Sequence, residues 1–400
     1  MLLLKHRKKK KIGENELIQI LDATLREGEQ TPGVYFDGHI KLAIADLLDE
    51  VGVDIIEAGH PIVTDEIHEA VKQISSRNLK AKIGAHSRSL EKDVDLALEC
   101  GVDFLGIFYC VSDDRLNHVF KTPLNNAIDQ ISKVIGYAKE RNPKLIVRYT
   151  PEDTVRSKFE NVIHASIAAV EAGADIISIA DTTGYMIPGS ERNMYDYVLK
   201  LKSAFAKHNL STKIAVHCHN DRGFALTNAL DGFRAGAEII DVTVLGLGER
   251  AGIVDMAQLL STLITDFGHS DHWNAAKLTE LYTLVSKYSG IPIPAHFPIM
   301  GQNAFTHCAG VHTHAALKDP LHYQSVDPAL FGRFMDVSLD HMSGFSSIEW
   351  ALDKLEIQYD RTLVAEILKI VKSIGQKGRT VDLTELEHIV NWCTKHEELF

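Results

Sequence analysis

Cysteine is sparse in this sequence, and its spacing carries no motif. Cys100, Cys110, Cys218, Cys308 and Cys393 are scattered with no CxxC pair. That excludes a cysteine-built zinc or redox motif and fits free thiols in a reducing cytoplasm. Long apolar runs are missing too, since no stretch approaches the roughly 20 residues of a membrane span. Met1-Leu2-Leu3-Leu4 precedes the basic residues Lys5 to Lys11, the reverse of the order in a secretory signal. Positive charge is in deficit, with 42 Lys and Arg against 54 Asp and Glu and a net charge of −12. This argues against nucleic acid as the main partner, because phosphate binding needs a positive surface. The one basic run reads as a solvated tail over residues 1–14. A cytoplasmic protein without membrane or nucleic-acid partners is expected.

What is present is a rhythm. Val51-Gly52-Val53-Asp54, Cys100-Gly101-Val102-Asp103, Ala172-Gly173-Ala174-Asp175 and Ala235-Gly236-Ala237-Glu238 each follow a helix-period segment and precede a β-rich apolar run. Glycine there suits the left-handed residue that ends a helix. The phrases mark helix-to-strand turns. Eight strands are predicted, at 17–25, 53–59, 81–86, 104–110, 145–150, 176–180, 214–219 and 239–245. Helices lie between them, for example at 90–100, 127–141, 160–172 and 225–235. Strict alternation implies a parallel sheet, and eight units imply an α/β fold of the (β/α)8 TIM-barrel type over residues 15–285. An open doubly wound sheet is disfavoured, because no G-x-G-x-x-G opens the first unit. Beyond it, a helix is expected at 273–289, prolines 292, 294 and 298 break regularity, and a cap is expected at Ser346-Ser347-Ile348-Glu349. Residues 286–400 read as a mainly helical appendage.

Chemistry in such a barrel belongs at the C-terminal ends of the strands. His217-Cys218-His219 follows the apolar run Lys213 to Val216. In a strand, positions i and i+2 share a face, so both imidazoles leave the backbone together. Taken alone, the pair is as consistent with an ordinary polar strand end as with a metal site. A carboxylate from the first strand would complete a 2-His-1-carboxylate set with open positions, suited to Lewis-acid work on a substrate oxygen. Arg26 beside it would neutralise charge developing on that oxygen. Arg148, a planar bidentate donor, suits a substrate carboxylate. The residues alone lead to a metal-assisted reaction on an anionic oxo substrate.

Four segments together resemble one family. Leu25-Arg26-Glu27-Gly28-Glu29-Gln30 is similar to the strand-one signature of the acyl-CoA-condensing branch of the pyruvate carboxyltransferase-like barrels. His217 to Asp221 is similar to its metal motif, and Gly246 to Gly252 to its G-x-G-E-R-x-G motif. Phe305 to His312 resembles the catalytic segment of its synthases. Within the branch the likeness is closest to homocitrate synthases, on Glu27, on Ile253, and on His86 with Arg148. Isopropylmalate synthase, or another synthase with a different 2-oxo acid, is the alternative. Two positions depart from the pattern: His314 where homocitrate synthases commonly carry Lys, and Thr183 within Asp181-Thr182-Thr183-Gly184.

The resemblance implies a Claisen condensation of acetyl-CoA with a 2-oxo acid. Glu27, His217 and His219 would hold a divalent metal (Zn, Mn or Mg). Arg26 would face the developing alkoxide. Gln30 and Thr182 would contact the acid near the metal, and His86 with Arg148 would take its far carboxylate. His312 and Tyr323, with Glu152, would serve the deprotonation of acetyl-CoA. It also implies a homodimer with a domain-swapped C-terminal segment, with His312 and Tyr323 acting in trans.

Overall fold

A computed structural model describes residues 18–269 and 272–395; the expected basic tail over 1–14, and residue 17 of the first predicted strand, lie outside the described residues. The eight strands are β1 (Gln19–Asp22), β2 (Ile55–Glu57), β3 (Lys82–Arg88), β4 (Phe104–Cys110), β5 (Ile146–Glu152), β6 (Ile176–Asp181), β7 (Lys213–Cys218) and β8 (Ile239–Val242). All neighbours pair in parallel, and β1 against β8 closes the barrel. Strands buried on both faces are written almost wholly in Ile, Val, Leu, Ala and Phe. Leu21, Ile55, Phe104, Ile176, Ala215 and Ile239 fill one end of the interior, so the barrel is a packed core and not a pore.

The strand count and order match the sequence reading, and the bounds of β4 match at both ends; other strands differ at their ends. The predicted first strand runs three residues too far, because Asp22 turns the chain. Its carboxylate accepts from the Thr24 N–H at 2.9 Å and from the Thr24 hydroxyl at 2.9 Å, which starts a turn through Gly28 that presents Arg26 and Glu27 inward. The predicted fifth strand stops too early, since β5 continues to Glu152. The glycine phrases do end helices: Gly52 has φ 93°, and Gly101, Gly173 and Gly236 also lie at positive φ.

The described chain separates into two compact units. One holds the barrel up to Leu259 with His269–Trp273 and Tyr288–Gly290; the other holds Leu260–Gly268, Asn274–Lys287 and the residues from Ile291 onward. In the second unit, helices Phe345–Lys354, Arg361–Gly375 and Leu383–Lys395 pack on one another through Ile348, Leu352, Val364, Ile367, Val371 and Leu386. The expected cap at Ser346 falls two residues late. The helix starts at Phe345 behind Gly344, and Ser347 accepts from the Gly344 N–H at 3.4 Å. The helix expected over 273–289 is instead a 3-10 turn, Ala275–Lys277, leading into Leu278–Ser289. Among the described residues no helix is long and apolar enough to cross a membrane.

Candidate active site

The C-terminal ends of the strands enclose a cleft of about 210 Å³. Arg26, Glu27 and Gln30 reach it from the β1 turn, His86 from β3, Arg148 and Glu152 from β5, Thr182 from beyond β6, and His217 and His219 from β7. Nine barrel residues singled out in the sequence thus line one cleft. His312 and Tyr323 belong to the second unit, where both are exposed and their rings lie 4.2 Å apart.

Glu27, His217 and His219 form a cluster whose ligand atoms all lie within 4.8 Å of one another. The two Nε2 atoms face each other at 3.3 Å, and Glu27 Oε1 is 3.9 Å from His219 Nε2. His217 turns its other nitrogen, Nδ1, to Asp241 Oδ2 at 3.0 Å. A carboxylate on Nδ1 leaves the Nε2 lone pair free to ligate. Two nitrogen lone pairs aimed at one point, with a carboxylate beside them, need a proton or a cation between them. Burial, then His217, pushes His219 down to about 4, so the proton is held weakly. Burial opposes the ionisation of Glu27, but Arg26 and the two imidazoles hold its carboxyl down to about 2. This donor set fits a divalent cation of the borderline class.

Two acidic residues at the heart of the site were not singled out in the sequence. Glu57, on β2, is fully buried and accepts from three side chains at once: Arg26 Nε at 2.6 Å, His86 Nδ1 at 3.0 Å and Arg148 Nη2 at 3.1 Å. Asp241, on β8, takes Arg148 Nη1 at 2.9 Å on each oxygen as well as His217. Their signal is a lone carboxylate in an otherwise apolar buried strand, Glu57 in Ile55-Ile56-Glu57 and Asp241 in Ile239-Ile240-Asp241-Val242. A parallel strand buried on both faces has no other use for a charge. His60 is a third omission; its ring stands edge-on to His86 at 4.9 Å.

The remaining residues have defined partners. Arg26 Nη1 bonds Glu27 Oε2. The Gln30 amide, oriented to donate, reaches Glu27 at 3.1 and 3.3 Å. Thr182 Oγ1 accepts from the Asp153 N–H at 2.9 Å, which leaves its own proton to donate. Glu152 pairs with Arg115 Nη1 at 2.9 Å; burial raises its carboxyl and Arg115 opposes that. The glycine loop after β8 closes the metal side. Its Glu249 N–H donates to Glu27 Oε1 at 3.1 Å, and Arg250 ties Asp221 Oδ1 at 2.7 Å to the Thr182 carbonyl at 2.6 Å.

Gly106 on β4 lies opposite His86 and Arg148 in the sheet. A Cβ there would stand 2.8 Å from His86 Nδ1 and 3.1 Å from Glu57 Oε1. Gly106→Ala is therefore expected to destabilise the fold by about 1–3 kcal/mol, the usual cost of overpacking. A thermal melt would show it, and an unchanged midpoint would contradict this packing.

A family model described as HMGL-like matches residues 17–285, and one described as homocitrate synthase post-HMGL domain-like matches residues 299–379. A homocitrate synthase of Pyrococcus horikoshii is 44% identical over 354 residues, covering 88% of this chain and 94% of that protein. A homocitrate synthase of Saccharolobus islandicus is 39% identical over 375 residues, covering 92% of this chain and 79% of that protein. Among solved structures, an HMG-CoA lyase of Brucella melitensis superposes with a TM-score of 0.58 at 20% identity, covering 69% of this chain and 100% of that one. At that identity the lyase bears on the fold alone.

Proposed function

This chain belongs to the homocitrate synthase family of HMGL-like barrels, and we propose that it condenses acetyl-CoA with 2-oxoglutarate, giving homocitrate and free CoA. The reaction class is acyl transfer in which the acyl group becomes alkyl. One carbon–carbon bond forms, between the acetyl methyl carbon and C2 of the oxo acid. Water then cleaves the thioester, and CoA leaves as the thiol.

The observation that carries the reading is the placement of Glu27, His217 and His219 beside Arg26, with His86 and Arg148 within the same small cleft. A divalent cation, when bound by Glu27, His217 and His219, supplies Lewis acidity toward the oxo group. Arg26 has Nη2 free of protein partners among the described residues, with Nε and Nη1 committed to Glu57 and Glu27. That N–H pair is available to an oxygen gaining negative charge at C2. Thr182 donates its hydroxyl proton to the C1 carboxylate. His86 and Arg148 receive the distal carboxylate; Arg148 Nε is buried without a protein partner, so its guanidinium has donor capacity to spare. A branched apolar acid placed there would offer no acceptor to the buried Arg148 Nε. His312, with Tyr323 and Glu152, carries the proton taken from the acetyl methyl group, contributed by a second copy of the chain in a homodimer. The setting is cytoplasmic biosynthesis.

Free-thiol release from acetyl-CoA across a panel of 2-oxo acids tests this. With a divalent metal supplied, 2-oxoglutarate is expected to give the highest kcat/KM, and chelation of the metal to abolish release. Preference for 2-oxoisovalerate or pyruvate would assign the enzyme to a different acceptor, and no release with any acid would end the reading.

A further inference from the structure

The charged groups of the cleft form a closed ring. From Glu27 it passes to Arg26, from Arg26 Nε to Glu57 Oε2 at 2.6 Å, and from Glu57 Oε1 to Arg148 Nη2 at 3.1 Å. Arg148 Nη1 then meets both Asp241 oxygens at 2.9 Å, and Asp241 Oδ2 meets His217 Nδ1 at 3.0 Å. The ring closes through His219 back to Glu27. Its members come from β1, β2, β5, β7 and β8 or the turns that follow them.

One arc of that ring has an energetic consequence. An imidazole ligating through one nitrogen is free to rotate unless its other nitrogen is held, and here Asp241 holds it. A carboxylate does this well only if its own plane is fixed. Asp241 is fully buried, and among the described residues its hydrogen-bond donors are Arg148 and His217. Arg148, itself 1% exposed, gives each Asp241 oxygen a donor and so sets the carboxylate's orientation. We propose that Arg148 is a positioning residue for the metal-binding imidazole of His217, acting through Asp241. The inference rests on the reading that His217, His219 and Glu27 hold a divalent cation. It gives Arg148 a second task besides the substrate's far carboxylate, and links the acid end of the cleft to the metal end.

The test is calorimetric titration of the full chain with Mn²⁺, without oxo acid or acetyl-CoA. Arg148→Gln and Asp241→Asn are each expected to weaken Mn²⁺ binding by about 10- to 100-fold, the range for lost outer-shell partners. The double variant should be no weaker than Asp241→Asn alone, because both changes break one relay. Arg115→Gln, which loses a contact to Glu152 and touches no member of the ring, should bind Mn²⁺ as the parent does. Circular dichroism and melting check that each variant is folded; where Arg148→Gln is not, Arg148→Lys replaces it and is also expected to bind more weakly. Unchanged Mn²⁺ affinity in a folded Arg148 variant or in Asp241→Asn overturns the proposal, as do losses that multiply in the double variant. A parent that binds no Mn²⁺ overturns the metal reading and this inference together, whereas a parent that binds alongside unaffected variants overturns the inference alone.

Discussion

Arg26→Met is expected to lower kcat by about 10²–10³-fold, the typical loss when one donor to a developing oxyanion is removed. KM for acetyl-CoA should change little, because Arg26 lies on the metal side of the cleft between Glu27 and Glu57. Two effects add in this variant. The developing alkoxide loses a charged donor, and two buried carboxylates lose a counter-charge. Breaking a buried pair from one side costs about 3–5 kcal/mol, so the melting temperature should fall as well. Arg26→Lys separates the two, since it restores a charge without the fork that serves Glu27, Glu57 and an oxygen at once. Steady-state thiol release and thermal melts on both variants decide the matter. A methionine variant with parental kcat would remove Arg26 from the chemistry.

The half of the site that lay open in the sequence is the half carried by local pattern. His217 and His219 could be placed on one face because a strand alternates with period two. Arg26 was visible because polar residues collect where the first apolar run ends, whereas Glu27 was named as the metal's carboxylate only through the family resemblance. The barrel itself was legible from eight repeats of one strand-and-helix unit. What stayed hidden depends on closure. Glu57 and Asp241 are 184 residues apart, yet both bind Arg148, because β1 pairs with β8 and brings distant strand ends round one mouth. No window of sequence contains that relation.

Errors at the element ends have the same origin. The apolar content of 17–25 predicts a longer strand than forms, because Ala23 and Leu25 stay buried after Asp22 has turned the chain. Burial continued; extended backbone did not. Within the barrel Glu152 pairs with Arg115, from the segment after β4, a residue no motif singled out.

Glu57→Gln is expected to be the most damaging single change outside the metal ligands. The glutamine offers one carbonyl oxygen where three donors converge, and turns its NH₂ against at least one of them. Arg26 and Arg148 would lose a shared buried counter-charge, at a cost of about 3–5 kcal/mol. Displacement of three cleft residues by fractions of an ångström should lower kcat/KM by about 10²-fold or more. The pH dependence identifies the cause. Burial works against ionisation of Glu57, but Arg26, His86 and Arg148 hold its carboxyl well below the ordinary value of 4.5. A depressed folded-state value means that the carboxylate stabilises the fold fully above about pH 4.5 and progressively less as pH falls below it. The melting temperature of the parent should therefore exceed that of Glu57→Gln by the most near neutrality, and the gap should narrow in acid. Melts of both proteins from about pH 7 down to about pH 3 measure it. A gap that stays constant over that range would place the damage in shape and not in charge, and Glu57 would no longer be the anion that holds the ring together.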